Sequence, residues 1–186
     1  MDLIRRSEMG DAEALAEIFH RYKNLVYKTA YLMLGDADDA EDALQEIFVQ
    51  VYRSLPTYRP AKGAFTTWLH RMTVNHCLNR RRRRRADMSL DEFGALGTSA
   101  PSLEGQMTEE AAVQHALAHL NDKLRAVVIL RYYWDLSYAE IAQILDIPLG
   151  TVKSRLHQAL SILRRELTDS QKPSIPLTVS LACEEG

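Results

Sequence analysis

The chain has 186 residues, of which 46% are hydrophobic and 26% charged, and this composition excludes a disordered or collagen-like protein. No apolar run approaches the roughly 18 residues of a membrane span, and no secretory signal is visible at the N-terminus. Two cysteines, Cys77 and Cys183, cannot build a disulfide framework, so we expect a cytoplasmic protein.

The net charge of −2 hides a segmented distribution. Residues 1–85 carry 15 basic and 11 acidic side chains, whereas residues 86–106 carry four acids and no base. Residues 107–168 carry seven of each. Segments of different charge indicate separate units joined by an acidic connection.

The first unit shows helical periodicity in three stretches. The first helix is predicted to begin at Asp11, a good N-cap, and to end at Gly35. The second follows from Asp36 and stops at Pro56, which cannot continue a helix. After a loop, the third begins at Phe65 and turns basic toward its end.

The remaining chain divides into a linker, a second unit and a tail. Residues 86–106 contain glycine and proline without sustained periodicity, which is typical of a flexible linker. Residues 107–168 return to helical spacing, and we expect the tail 169–186 to be disordered. Since no segment alternates with period two, the prediction is an all-α chain of two small helical domains.

The strongest local motif lies in the second unit. Ser137 and Glu140 form the pattern of a capping box, and a break at 146–148 separates this helix from a longer one. A short helix, a tight turn and a longer helix predict a helix-turn-helix. A helical hairpin whose polar face meets only water stays open as the alternative. The second helix offers side chains that suit a major groove: Thr151, Lys153, Ser154, Arg155 and Gln158.

Six consecutive arginines, 80–85, close the third helix of the first unit. They follow Arg71, Asn75 and Asn79, which lie near one helix face at spacings of three and four. Arginine is the preferred phosphate partner, so this helix end predicts nucleic-acid contact. A solvated charged face is the alternative reading.

An acidic cluster marks the start of the second helix. A helix dipole favours two or three acids there, but six are present. We therefore expect this face to meet a basic protein partner. The six are Asp36, Asp38, Asp39, Glu41, Asp42 and Glu46.

Nothing in the sequence supports catalysis, a cofactor or a metal. His115 and His119 are four residues apart, but no further ligand set completes a zinc site in sequence. Glycine-rich phosphate loops and nucleophilic triads are also missing from the pattern. We expect no enzymatic activity.

Taken together, these motifs resemble the extracytoplasmic-function (ECF) sigma factors of bacterial RNA polymerase, over about residues 8–167. The segments 39–48 and 65–75, followed by the arginines, are similar to the first conserved domain of that family. The segments 137–142 and 150–156 are similar to its C-terminal helix-turn-helix. Two motif sets in the right order are far more specific than either alone.

The resemblance implies a domain plan and a function. Residues 8–85 would form the domain that docks on polymerase and melts the −10 element, and residues 107–168 the domain that reads the −35 element. The chain would thus act as a transcription initiation factor. The implied partners are promoter DNA, core RNA polymerase through its β′ clamp helices and β flap, and an anti-sigma factor, with no membrane insertion.

The resemblance also implies roles for individual residues. The polymerase-binding set is Asp39, Asp42, Gln45, Glu46 and Phe48. The −10 set is Tyr58, Arg59, Lys62, Arg71, Asn75, Asn79, Arg80 and Arg81. The −35 set is the group of five on the second helix of the helix-turn-helix, Thr151, Lys153, Ser154, Arg155 and Gln158.

A rival interpretation is a stand-alone regulator that binds DNA as a dimer through the same helix-turn-helix. It would leave the acidic helix start and the arginine run without a role. An enzyme that acts on nucleic acid is a more distant alternative, because no acid, base or metal constellation is present.

Overall fold

The computed structural model describes residues 2–91 and 109–170, and all regular structure in these ranges is helical. The predicted all-α class is confirmed for this part of the chain. Short 3-10 turns at Leu55–Thr57 and Pro60–Lys62 and a π-helical turn at Ile129–Tyr133 join some of the helices. The helices are α1 Asp2–Glu8, α2 Ala12–Leu34, α3 Ala37–Ser54, α4 Phe65–Asp91, α5 Glu109–Ala118, α6 Asp122–Val128, α7 Tyr138–Leu145 and α8 Leu149–Ser170.

The helix ends follow the capping signals of the sequence. The Asp11 carboxylate accepts from the backbone N–H groups of Glu13 and Ala14, which fixes the start of α2. Gly35 ends α2 with φ of 82°, a left-handed conformation that favours glycine. The predicted capping box of Ser137 and Glu140 is present at the start of α7.

The N-terminal helices pack as a small bundle in which α2 lies against both α3 and α4. Its core consists of apolar side chains that recur every three or four residues and become fully buried, such as Ile18, Ile47 and Leu69. An aromatic cluster closes one end, where the Phe65 and Trp68 ring centroids lie 5.4 Å apart. This bundle holds α3 and α4 side by side with their polar faces outward.

The C-terminal helices form the predicted helix-turn-helix. Ile141 of α7 and Val152 of α8 are both fully buried. Asp146 adopts φ of 55° and lets the chain turn sharply between the two helices. The polar face of α8 is therefore directed away from this core.

Two features differ from the sequence prediction. Helix α1 was not anticipated, and α4 continues to Asp91, five residues beyond the expected start of the linker at 86. Nothing between Arg85 and Asp91 stops a helix, because the first glycine after the arginines is Gly94. Residues 92–106 of the predicted linker and residues 171–186 of the predicted tail lie outside the described residues.

The N-terminal and C-terminal helices also pack against one another, which periodicity alone did not predict. The Trp134 Nε1 atom donates a hydrogen bond of 2.9 Å to the Thr29 hydroxyl. The Gln114 amide donates to the Tyr31 carbonyl at 2.9 Å. The ring of His70, on α4, meets that of Trp134 edge to face at 5.1 Å. The two units therefore share a polar and aromatic interface.

His70 makes the stability of this interface depend on pH. The residue is only 3% exposed, its Nδ1 atom has no hydrogen-bond partner, and burial lowers the pKa of the imidazole to about 4, although Glu140 opposes this shift. Between about pH 6.5 and 4 the unfolded chain binds a proton that the folded chain does not. The free energy of unfolding should therefore decrease by up to about 3 kcal/mol as the pH falls through this window.

Urea unfolding at pH 7 and pH 4.5 checks this prediction in the wild type and in His70→Phe. The phenylalanine keeps the ring but cannot be protonated, so the variant should lose less stability on acidification. Equal losses in the two proteins would contradict the assignment to His70.

Candidate functional site

The predicted polymerase-binding residues lie along α3, and most of them face solvent. The Asp42 and Glu46 side chains are 64% and 59% exposed, and Gln45 is also exposed. Asp39 is more covered, at 23%. Phe48 is buried and packs edge to face on Phe19, with ring centroids 4.8 Å apart. Phe48 thus supports the helix from beneath, whereas the carboxylates form its outer surface.

These carboxylates are paired with arginines of α4. The Arg80 guanidinium lies 2.7 Å from Asp39, 3.2 Å from Asp42 and 3.5 Å from Glu46. Hydrogen bonding to Asp39 is the main cause of a raised Arg80 pKa. Arg84 adds a second contact to Asp39, at 2.8 Å. One part of the predicted DNA-binding run is therefore used to neutralise the acidic face of α3.

A groove of about 870 Å³ lies between α3 and α4. Arg71, Asn75 and Asn79 line it and are exposed, as their spacing on one helix face predicted. Arg80 and Asp39 line it as well. The groove thus presents amide donors and acceptors beside groups of both charges, a chemistry that suits a nucleotide strand.

A smaller pocket of about 200 Å³ lies at the loop between α3 and α4. Tyr58 is buried beside it, and its hydroxyl donates to the Gly63 carbonyl at 2.9 Å, which holds the loop closed. Burial also raises the Tyr58 pKa. Arg59 and Lys62 are exposed at the rim, although Arg59 donates to the Pro56 carbonyl at 2.8 Å. Tyr58 therefore shapes the pocket, while the two basic residues stay accessible.

The predicted recognition helix, α8, carries its candidate residues on an accessible face. Lys153, Ser154 and Gln158 are exposed, whereas Thr151 and Arg155 are partly buried. The Ser154 hydroxyl donates to the Thr151 carbonyl at 3.1 Å. The structure therefore brings all five together at the start of one helix, with Lys153 and Gln158 the most available for contact.

The contacts between the two units were not predicted from the sequence. The amide of Gln143, on α7, donates to the Lys62 carbonyl at 2.9 Å and lines the smaller pocket. Arg71 of the groove pairs with Asp146 at 3.3 Å. Arg81, predicted to contact DNA, pairs with Asp122. These partners are 41 to 81 residues apart in sequence, so no local pattern identifies them.

The two histidines that the sequence analysis considered as metal ligands lie next to each other. The His115 and His119 rings lie 4.9 Å apart, and His119 faces Glu166 at 3.5 Å. In residues 2–91 and 109–170 no group of three or more His, Cys, Asp or Glu side chains is arranged to hold a metal ion. Within the same ranges, none of the helices has the length and apolar character to cross a bilayer.

Two known protein families match separate parts of the chain. Residues 18–86 match sigma-70 region 2, and residues 110–163 match sigma-70 region 4. The first match contains the acidic face of α3 and the groove, and the second contains the helix-turn-helix. The two motif sets found in the sequence thus fall in two separate family models.

Individual sigma factors are also similar to this chain in sequence or in fold. The ECF RNA polymerase sigma factor SigW of Bacillus subtilis is 36% identical over 180 residues, which cover 89% of this chain and 95% of SigW. SigE of Mycolicibacterium smegmatis is 37% identical over 83% of this chain and 63% of its own length. A solved complex of the sigma factor RpoE with the anti-sigma factor NepR from Bartonella quintana has the same fold, with a TM-score of 0.69 and 21% identity over 84% of this chain and 98% of that one.

Proposed function

Because this chain belongs to the ECF sigma factors of bacterial RNA polymerase, we propose a division of its surface into three contact regions. The protein is a transcription initiation factor that binds core polymerase and promoter DNA. Residues 8–85 form the domain for polymerase docking and −10 recognition. Residues 107–168 form the domain for −35 recognition. The observation that carries this division is that the acidic face and the recognition helix lie on separate helical units, each with its own family match.

The outer face of α3 docks on the β′ clamp helices. This assignment is supported by the exposure of Asp42, Gln45 and Glu46 and by the excess of acids beyond what a helix dipole needs. Asp39 is shared between Arg80 and Arg84 and keeps the face in position. Phe48 contributes from beneath by its packing on Phe19. The β flap is the partner of the C-terminal unit.

The groove and the smaller pocket bind the opened −10 strand. Asn75 and Asn79 provide hydrogen-bonding groups to bases, and Arg71 provides charge for the backbone. The smaller pocket, at about 200 Å³, is of a size for one extruded base, and Arg59 and Lys62 stand at its rim. Tyr58 forms its wall, while Arg80 and Arg81 extend the basic surface of α4.

The exposed face of α8 reads the −35 element in the major groove. Lys153 and Arg155 suit guanine or phosphate, and Thr151, Ser154 and Gln158 suit bases or phosphate. This proposal is supported by the capped helix-turn-helix, which presents these residues on the first turns of α8.

The remaining assignments follow from the family. We place the protein in the cytoplasm, where it meets the polymerase, and we assign it no enzymatic activity or cofactor. A family member whose solved complex contains an anti-sigma factor supports such a partner here as well. A dimeric stand-alone regulator would not need a polymerase-docking face.

The docking face can be tested by removing charge without reversing it, because a lysine would meet Arg80. The double variant Asp42→Asn, Glu46→Gln should bind core polymerase about tenfold more weakly at low salt, since each exposed pair contributes roughly up to 1 kcal/mol. The difference should shrink as salt rises. Glu17→Gln removes the same type of charge from α2, where Glu17 is 52% exposed and pairs with Arg21 one turn away, and it should change the affinity less than twofold. Fluorescence titration against core polymerase measures all three proteins, and equal affinities would remove the docking assignment.

The two DNA-contact regions can be separated by variants that act on different steps. Lys153→Ala should weaken closed-complex binding at the −35 element. If Lys153 contacts a base, the loss should be roughly 1–3 kcal/mol. If it contacts a phosphate, the slope of log K against log salt should be smaller by about one. Asn75→Ala should leave that step intact and reduce strand opening. Footprinting of the closed complex and permanganate reactivity measure the two steps, so each variant is the control for the other. Normal opening by Asn75→Ala together with normal binding by Lys153→Ala would overturn both assignments.

A further inference from the structure

Asp122 is the focus of the interface between the two units. This first residue of α6 is only 9% exposed, and its carboxylate is held by two arginines of α4. The Arg81 Nε atom lies 2.5 Å from Oδ1, and the Arg85 guanidinium lies 2.9 Å from the carboxylate. A carboxylate bound by two guanidinium groups has the same chemistry as a phosphate bound by them. Arg81 and Arg85 are therefore occupied by an anion that the protein itself supplies.

A shared backbone carbonyl strengthens the same contact. The Met33 carbonyl, near the end of α2, accepts from Arg81 at 3.0 Å and from Arg125 at 2.9 Å. Arg125 is buried on α6 and also donates to the Leu117 carbonyl at 3.0 Å. Desolvation lowers the Arg125 pKa to about 10, which still leaves it charged at neutral pH. Of these three bonds, the one from Arg125 to the Met33 carbonyl crosses between the units, so separation of the units would break it together with the pairs of Asp122.

A second contact zone covers the DNA-binding surfaces themselves. Gln143 lies over the smaller pocket, where its amide donates to the Lys62 carbonyl. A Cβ atom at Gly63 would be 3.0 Å from the Gln143 nitrogen, which shows how closely α7 approaches this loop. Arg71 of the groove is paired with Asp146, the residue that ends α7. The helix-turn-helix thus rests on the groups assigned to the −10 strand.

This arrangement cannot hold both promoter elements at once. Thr151 follows Asp146 by five residues, so the start of the recognition helix lies within about 18 Å of Asp146, which contacts Arg71. The −10 and −35 elements are about 25 base pairs apart, or roughly 85 Å at 3.4 Å per base pair. The recognition helix must therefore leave the groove before both elements can be bound.

We propose that Asp122 is an internal anion that latches the free protein in a closed, autoinhibited state by occupying Arg81 and Arg85. Promoter phosphates and Asp122 then compete for the same two guanidinium groups. Docking on polymerase separates the units and makes the arginines available. The effect on DNA rests on the proposed function of α4, whereas closure itself does not.

The latch can be tested without DNA or polymerase by an intramolecular distance. A donor and an acceptor dye are attached to cysteines that replace the exposed residues Tyr52 and Ser161. The background carries Cys183→Ser, and the native Cys77 is fully buried and does not react with the dyes. The isosteric variant Asp122→Asn should lower the transfer efficiency relative to the wild type. Asp135→Asn removes the same charge from the C-terminal unit at a site that is 95% exposed and pairs with Arg131 four residues away, so the transfer efficiency of this variant should stay unchanged.

A charge swap keeps the test independent of any loss of folding. Asp122→Arg should open the protein, and adding Arg81→Asp with Arg85→Asp should restore the transfer efficiency. Circular dichroism confirms the helical content of each variant. An unchanged efficiency in Asp122→Asn, or no rescue by the swap, would overturn the latch.

DNA binding gives the second readout. A labelled 30-base-pair duplex of mixed sequence should bind Asp122→Asn about tenfold more tightly than it binds Asp135→Asn. Its salt slope should be steeper by about two, because two phosphate contacts become available. If Asp122→Asn lowers the transfer efficiency but does not bind the duplex more tightly, the latch is supported and the DNA contact assigned to Arg81 is wrong.

Discussion

The structure depends on how the arginines of α4 are shared between two sets of acids. Arg80 and Arg84 lie one helical turn apart and pair with the acids of α3. Arg81 and Arg85 lie on the next face and pair with Asp122 of the C-terminal unit. Guanidinium groups stay charged at any ordinary pH, so a partly covered arginine needs an anion or a carbonyl beside it. The chain itself supplies these partners, and the pairs with Asp122 are the ones that require the closed arrangement.

In the proposed function the same groups make the contacts that initiation requires, and this would create a competition. The α3 carboxylates are mostly exposed, so their pairs with Arg80 are weak and easily exchanged for a basic partner. The Asp122 carboxylate is better covered, and breaking its pairs without replacement costs more. Polymerase docking can therefore begin at α3 while the units are still closed. In the proposed latch, separation of the units then follows as the step that exposes the DNA-contact surfaces.

Local structure followed from the sequence wherever a signal lay within one or two helical turns. The caps at Asp11 and Ser137 and the stop at Gly35 were predicted because each depends on neighbouring residues. The partner of Arg81 was not predicted, because Asp122 is 41 residues away in sequence. Its local pattern is that of an ordinary acidic residue in the first turn of a helix. Nucleic-acid contact by the arginine run stays a prediction, whereas the division of these arginines between two acidic partners depends on how α4 packs. Recognition of the family from two motif sets was confirmed by both family models.

We infer that internal pairing keeps the free protein from binding DNA until polymerase separates its units. It is tested most directly by titrating a labelled promoter with the protein alone and with core polymerase, at one stated salt concentration. The protein alone should bind with a Kd no lower than about 10⁻⁴ to 10⁻⁶ M, the range of non-specific complexes, and core polymerase should improve binding by orders of magnitude. Sub-micromolar, sequence-specific binding by the wild-type protein alone would contradict it.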